Sequence, residues 1–437
     1  MGRSLSFAKK HAAGLITCLL YLVILTFWIK VIPMSGAPDE QIHLEANALF
    51  IADNNRLPVS GVDDLRFLTN CRVNPLGAMP CTNSYNTFPQ LNYLISAVSI
   101  KLNRLLGLVS DATAARLPQI VYAIIFFTSL HFSVVSVGLG SSKALMIALS
   151  VCLIPQVIFI FSYLNQDAFA LTSASLVLLS CTLALDRGRR HGTLPTSAVL
   201  FLGISLGLLL SSKYNYFALL PAIFIYLAYI LRSTIPERRG QWLAIIKIFV
   251  IAGLIAGPWY LRNLVLYGDL LGGKFLIETM SKFHPLGTAR TMKPSNIEFL
   301  VDNGWFYTNF RSFFAVFGFM SLFLGSFWYL IAALLVTIAI GGALFLAGGS
   351  QHSKGPVFIA LGTTVLIIAM SAYHSLAIDF QAQGRYLFPI LFGFIPAITI
   401  LMIEFPRRVV AFVAIWDLFL LAMLIRSSVL ICSTYCV

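Results

Sequence analysis

Apolar runs of about 17–25 residues, the length at which an α-helix crosses the hydrocarbon of a bilayer, recur from Gly14 almost to the end of the chain. They predict spans at about 14–34, 116–138, 144–162, 168–185, 195–211, 214–231, 242–258, 326–347, 356–372, 386–403 and 409–428. The fold class they imply is all-α: a polytopic integral membrane domain over residues 1–437 with about eleven transmembrane helices. The first run follows a basic start, "MGRSLSFAKK", is too long for a signal peptide and precedes no small-residue cleavage site, so it reads as a span. One segment departs from the pattern. "FPQLNYLISAVSIKLNRLLG" (88–107) carries Asn92, Lys101, Asn103 and Arg104, and a helix with charges in its second half is better placed along the interface than across the core.

The polar breaks between runs orient the chain. Basic or basic-flanked connections fall at "RSLSFAKK", "SSK" (141–143), "DRGRRH" (186–191), "RSTIPERR" (232–239), "QHSK" (351–354) and "EFPRR" (404–408), and the positive-inside rule asks all of them to be cytoplasmic. Two segments on one side must be separated by an even number of spans. Four spans lie between "RSLSFAKK" and "DRGRRH" only if 88–107 does not cross. Residues 33–115 then form one large extracytoplasmic loop, 259–312 a second, with the N-terminus inside and the C-terminus outside. The same parity gathers the other polar islands on the outer side: "YLNQDA" (163–168), "SSKYNY" (211–216), "WYLRNLVLYGDLLGGK" (259–274) and "YHSLAIDFQAQGRY" (373–386).

Composition agrees. With 58% hydrophobic and 11% charged residues and a mean hydropathy of +0.86, the chain has too little polar surface for a soluble globule. The net charge of +13 sits mostly in short loops, where it acts as a topology signal and not as a nucleic-acid footprint. No P-loop or dinucleotide-binding glycine fingerprint is present, which argues against ATP-driven work on the cytoplasmic side. Cys18, Cys152 and Cys181 lie inside apolar runs as packing residues. Cys71 and Cys81 bracket the polar loop "CRVNPLGAMPC"; in an oxidising compartment they form a disulfide candidate, and free thiols are the other reading.

Candidate chemistry concentrates in "SGAPDEQIHLEANALF" (35–50), directly after the first span. Acidic residues at a helix start complement its dipole. A cap needs one carboxylate, however, and here Asp39, Glu40 and His43 stand together, with Asp39 and His43 four apart on one helix face. Two acids and a histidine suit the deprotonation of a hydroxyl nucleophile, or a divalent ion held over phosphates. Glu45 reads as an ordinary surface residue. "HLE" (43–45) lacks the Cys-x-x-Cys that a zinc deaminase site would need. Asn165 and Asp167 suit a tight turn between spans, and Lys213, Tyr214 and Tyr216 suit an interfacial belt. Arg262 with Asn263, and Arg385 with Tyr386, sit at span ends on the same side as the carboxylates and offer planar forks for phosphate oxygens. His131 and Asp417 stand alone within spans and read as packing or helix-contact residues.

Taken in order, "PDEQIH", "NQDA", "WYLRNLVLYGD", "SFFAVFGF" and "QGRYLFP" resemble the serial motifs of a bacterial group of predicted polytopic membrane proteins placed with the GT-C superfamily of membrane glycosyltransferases. By plan the chain is also similar to the serotype-converting glucosyltransferases that decorate O-antigen. The resemblance implies a hexosyltransferase of the bacterial cytoplasmic membrane. It would move a sugar from a polyprenyl-phosphate donor to a glycan or glycolipid acceptor of the cell envelope, such as lipopolysaccharide, on the extracytoplasmic face. It makes Asp39 the general base, supported by Glu40 and His43. Lys213, Tyr214, Arg262, Asn263, Arg385 and Tyr386 fall to the donor phosphate and substrate, and Asn165 and Asp167 to a second polar wall. It implies no organic cofactor; a divalent cation, Mg or Mn on Asp39 and Glu40, serves some branches and not others. The partners implied are the lipid-linked donor, the acceptor and membrane lipid, with no nucleic acid. The competing classes are a transporter or translocase of lipid-linked sugars, which would show inverted repeats and midplane charges, and an O-antigen polymerase or ligase, which would carry a large late loop rich in Arg and His.

Overall fold

The computed structural model describes residues 2–63, 84–275, 278, 297–377 and 380–436. The expected Cys71–Cys81 pairing, and part of each expected outer loop, lie outside the described residues. Helix α1 is Gly2–Val31. After a turn come α2 (Glu40–Ile42), a π-helical stretch (His43–Leu49) and α3 (Phe50–Asn54), and then α4 (Leu91–Leu106) and α5 (Asp111–Ser136). α6 (Ser141–Cys152), α7 (Pro155–Phe161), α8 (Gln166–His191), α9 (Thr196–Leu210), α10 (Leu220–Thr234) and α11 (Arg238–Tyr267) make the middle of the bundle. Beyond them lie α12 (Ile297–Asp302), α13 (Trp305–Phe314) and a two-stranded antiparallel hairpin, β1 (Val316–Phe317) with β2 (Leu322–Phe323). The chain ends in α14 (Ser326–Gly348), α15 (Gln351–Ala377), α16 (Ile390–Glu404) and α17 (Pro406–Tyr435).

Among the described residues eight helical segments are long and apolar enough to cross a bilayer, and the bent pair α6–α7 makes a ninth. The shorter apolar helices α9 and α16 occupy the two remaining positions expected from the hydrophobic runs. The protein is an all-α polytopic membrane protein. Its surface exposes large apolar side chains such as Leu254, Leu330 and Phe345, and its interior packs aromatic and aliphatic side chains such as Trp28 and Phe126 together with buried polar groups.

Two local features shape the bundle. Proline at 155 lacks an N–H and disfavours helical geometry in the residue before it; Ile154 accordingly adopts φ −60, ψ 117, and the span bends by 76°. The Ser150 carbonyl next to this break accepts the Trp416 indole N–H at 3.0 Å. The second feature is a close approach of α9 to α11. A Cβ at Gly203 would stand 2.7 Å from the Ile251 Cβ, and one at Gly207 2.9 Å from the Ile255 Cβ, so the small-xxx-small spacing lets two backbones meet. With 15 residues, α9 is about 22 Å long, short of the ~30 Å hydrocarbon core. Its C-terminal Ser211–Lys213 therefore start below the ends of longer neighbours.

The expected span at 242–258 needs correction. The apolar run ends at about 258, yet α11 runs through Pro258 to Tyr267 and stops at Gly268, where φ is +67. Arg262 and Asn263 consequently lie on a helix and not in a loop. α4 is not among the candidate spans. It buries Tyr93, Ala97 and Ile100 and exposes Val98, Leu102 and Leu105, in line with Leu117 and Val121 on α5. Helix alternation brings the end of α1, the starts of α8 and α16, and the ends of α9, α11 and α15 to one end of the bundle, where the polar islands meet.

Because the space at Gly207 is bounded by an adjacent helix, Gly207→Leu should overpack the α9–α11 contact by about 1–3 kcal/mol. Thermal unfolding in detergent should shift downward, and Ile255→Ala should restore part of the loss; an unchanged midpoint would show that the two helices are free to separate.

Candidate functional site

The segment after α1 turns back at Met34–Gly36 and enters α2 through Asp39. Four islands then converge. Arg385, on the 3-10 turn Gly384–Leu387, is 5% exposed and donates from Nη1 to the Tyr163 hydroxyl at 3.1 Å and from Nη2 to Asp39 Oδ2 at 3.3 Å. Its Nε lies 3.8 Å from Asp167 Oδ2 and has no hydrogen-bond partner. Lys213 Nζ donates to both Asp167 oxygens at 2.9 Å and stands 4.4 Å from the centre of the Tyr386 ring. Asp39 is the open member of the group, its side chain 35% exposed against 2% for Asp167.

Electrostatics separates the two groups of the opening motif that face this cluster. Burial alone would raise the Asp39 carboxyl, but Arg385 beside it and hydrogen bonds from Tyr85 and Arg385 hold it below the usual carboxylate range. His43 is 3% exposed, and burial, aided by the positive field of Arg385 and Lys213, pushes its imidazole down to about 3 against the opposing pull of Asp39 and Asp167. Burial likewise keeps the Tyr93 phenol protonated. The Tyr93 hydroxyl lies 2.6 Å from His43 Nδ1, a hydrogen bond whose direction follows the imidazole tautomer. His43 is a neutral, oriented imidazole.

Glu40 has a different position from the one expected. It is fully buried and accepts from Arg116 Nε at 2.6 Å, Arg116 Nη2 at 2.5 Å and the Leu164 N–H at 2.9 Å. Both oxygens are committed, so Glu40 is not a free acid or base, and it does not fit a metal ligand alongside Asp39. Among the described residues no group of three or more His, Cys, Asp or Glu side chains could hold a metal ion.

Asn165 caps α8: its Oδ1 accepts the Ala168 N–H at 3.0 Å and its Nδ2 donates to Ile160 and Tyr163 carbonyls. It shapes the wall that carries Asp167 without presenting a free group. Arg262, Asn263 and Tyr214 fasten neighbouring segments: Arg262 donates to the Pro58 carbonyl, Asn263 Nδ2 to the Thr87 carbonyl at 3.0 Å, and the Tyr214 hydroxyl lies 3.3 Å from both the Thr87 and the Leu271 carbonyl. Arg116, Tyr85, Tyr93 and Tyr163 went unnoticed in the sequence. Arg116 carried a signal, a charge at the very start of an apolar run; the tyrosines carried none.

With this geometry in place, comparison with known families is informative. A family model described as "Predicted membrane protein (DUF2142)" matches residues 77–394, well over half of the chain. The chain belongs to this family. No curated protein matches it. The DUF2142 match takes in Arg116, Asp167, Lys213 and Arg385; Asp39, Glu40 and His43 precede it.

The neutral imidazole makes acid stability testable. An unfolded His43 titrates near 6.5, whereas the folded one titrates at about 3. Above about 6.5 both states are neutral and the contribution is fully present. As pH falls from 6.5 toward 3 the unfolded chain takes up a proton that the folded chain refuses, and stability is lost. The unfolding temperature should fall between pH 7 and 4.5 in detergent, and His43→Gln should flatten that slope; identical slopes would mean His43 titrates freely.

Proposed function

We propose that the protein is a glycosyltransferase that moves a sugar from a polyprenyl-phosphate donor to a glycan or lipid acceptor of the cell envelope. On this reading it sits in a bacterial cytoplasmic membrane with its N-terminus in the cytoplasm and the Asp39 end of the bundle outside. The observation that supports it best is a partly exposed carboxylate, kept ionised, lying 3.3 Å from a buried guanidinium at one end of a membrane bundle.

The chemistry follows from those groups. Asp39 takes the proton of the acceptor hydroxyl as its oxygen bonds to the anomeric carbon. The bond from that carbon to the phosphate oxygen breaks, and configuration inverts. Negative charge grows on the departing lipid phosphate, so Lys213 and Arg385, already fixed by Asp167, Tyr163 and the Tyr386 ring, stabilise the transition state more than the ground state. Neutral His43 adds no competing positive charge that would hold the proton on the acceptor. The low Asp39 pKa keeps the base ionised through the neutral range.

A second reading, translocation of lipid-linked sugars without chemistry, draws support from the 76° break between α6 and α7, since transporters use interrupted helices at their sites. Both readings are tested by one preparation. Protein in liposomes, supplied with a polyprenyl-phosphate hexose and an acceptor lipid, should transfer the hexose; Asp39→Asn should lower turnover about 10²–10⁴-fold, the usual worth of a general base. Lys213→Met should lower kcat as well as raise the donor KM, because its charge is needed most in the transition state. Undiminished transfer by folded Asp39→Asn removes the base assignment, and donor movement without transfer favours the translocase.

A further inference from the structure

Asp39 has φ 61 and ψ 0, a left-handed conformation that side chains other than glycine adopt at a cost. Its own side chain makes no capping bond that would stabilise the turn. The constraint comes from its flanks. One nitrogen of Arg116, Nη2, donates both to the Pro33 carbonyl at 3.3 Å and to Glu40 Oε2 at 2.5 Å, so a single guanidinium group closes the base of the segment 34–39. Nη1 of the same group holds the Ile29 and Ile32 carbonyls at 2.9 and 2.7 Å, anchoring the end of α1. On its far side Glu40 accepts the Leu164 N–H, three residues ahead of Asp167.

We infer that Arg116 and Glu40 are positioning residues, which force Asp39 into its left-handed turn and set its carboxylate against Arg385 and the Asp167–Lys213 pair. The inference rests on the glycosyl-transfer reading for its kinetic consequence, and on geometry alone for its structural one. Neither residue touches the reacting atoms; without the clamp the segment 34–39 is released at both ends and Asp39 can relax to an ordinary backbone conformation, taking its carboxylate off Arg385.

The test uses two variants of the full chain in liposomes. Arg116→Lys keeps the charge beside Glu40 and gives up the fork to the α1 carbonyls. Glu40→Gln with Arg116→Met removes the pair together, so that no charge is stranded. Both should lower kcat about 10²-fold, the effect of a misplacement near 1 Å, while the donor KM stays within about threefold, because Lys213 and Arg385 remain. Amide hydrogen exchange across residues 36–43 should rise in both variants and not in Asp39→Asn. Folded variants with wild-type kcat and unchanged exchange overturn the inference. Failure of both to fold also overturns it, since the clamp is then a stability element only. A wild type that transfers nothing, with exchange raised in the variants, removes the glycosyl-transfer reading and leaves the positioning of Asp39 standing.

Discussion

A guanidinium buried at the edge of a bilayer must satisfy its donors within the protein, because neither lipid nor dry core can do so. Arg116 meets that demand in full. Its N–H groups are divided between Glu40 and the carbonyls of Ile29, Ile32 and Pro33, at the point where α1 ends. The pair stitches α1, α2, α5 and the turn before α8 with one set of bonds. Such a pair contributes little over an apolar replacement of the same shape, yet removing one partner strands a charge at a cost of several kcal/mol. Its value lies in geometry, because a fully satisfied polar cluster admits one arrangement of the segments it joins.

Arg385 makes the contrast. It is as deeply buried as Arg116, but its Nε has no hydrogen-bond partner, and the groups around it are shared: Asp39 is partly exposed and Asp167 is already bonded to Lys213. A cation so incompletely paired is one that can change partners. The adjacent residues Asp39 and Glu40 thus divide two roles that the sequence presents as one acidic motif. The glutamate is sealed and structural, while the aspartate is partly exposed and lies against Arg385. The turn that carries Arg385 is itself fixed, because a Cβ at Gly384 would collide with the Phe313 nitrogen and the Asn309 carbonyl.

Hydrophobic runs located the spans because lipid imposes one rule on every helix that crosses it, and the parity of basic loops brought Asp39, Asp167, Lys213 and Arg385 to one end for the same reason. Where specific contacts decide, the sequence was less legible. The apolar run ends at about 258, but the helix α11 continues past it until Gly268. Asn165 falls to the site by the resemblance although its type suits a turn, and the turn is what it makes. Glu40 reads as catalytic because its partner lies 76 positions away, inside a segment whose apolar character hides a single arginine. Arg262 sits on the correct end of the bundle and still spends its guanidinium on the Pro58 carbonyl and the Trp259 ring. Side and type are local or global properties of the sequence; allegiance between two side chains is neither.

The charge balance of the cluster also bears on how an anion would be held. Asp39 and Asp167 offset Lys213 and Arg385, and His43 adds nothing, so the resting site is close to neutral. A phosphate ester entering there competes with Asp167 for Lys213, and Asp167, sealed from water, cannot be left without a cation. Under the proposed reading Arg385, whose Nε lies 3.8 Å from Asp167, would keep that carboxylate paired while Lys213 shares the incoming phosphate. Any shift of Arg385 toward Asp167 would draw it from Asp39 and raise the basicity of the Asp39 carboxylate. Under the proposed reading, binding the anionic donor would itself prepare the base, coupling two halves of the site through one guanidinium.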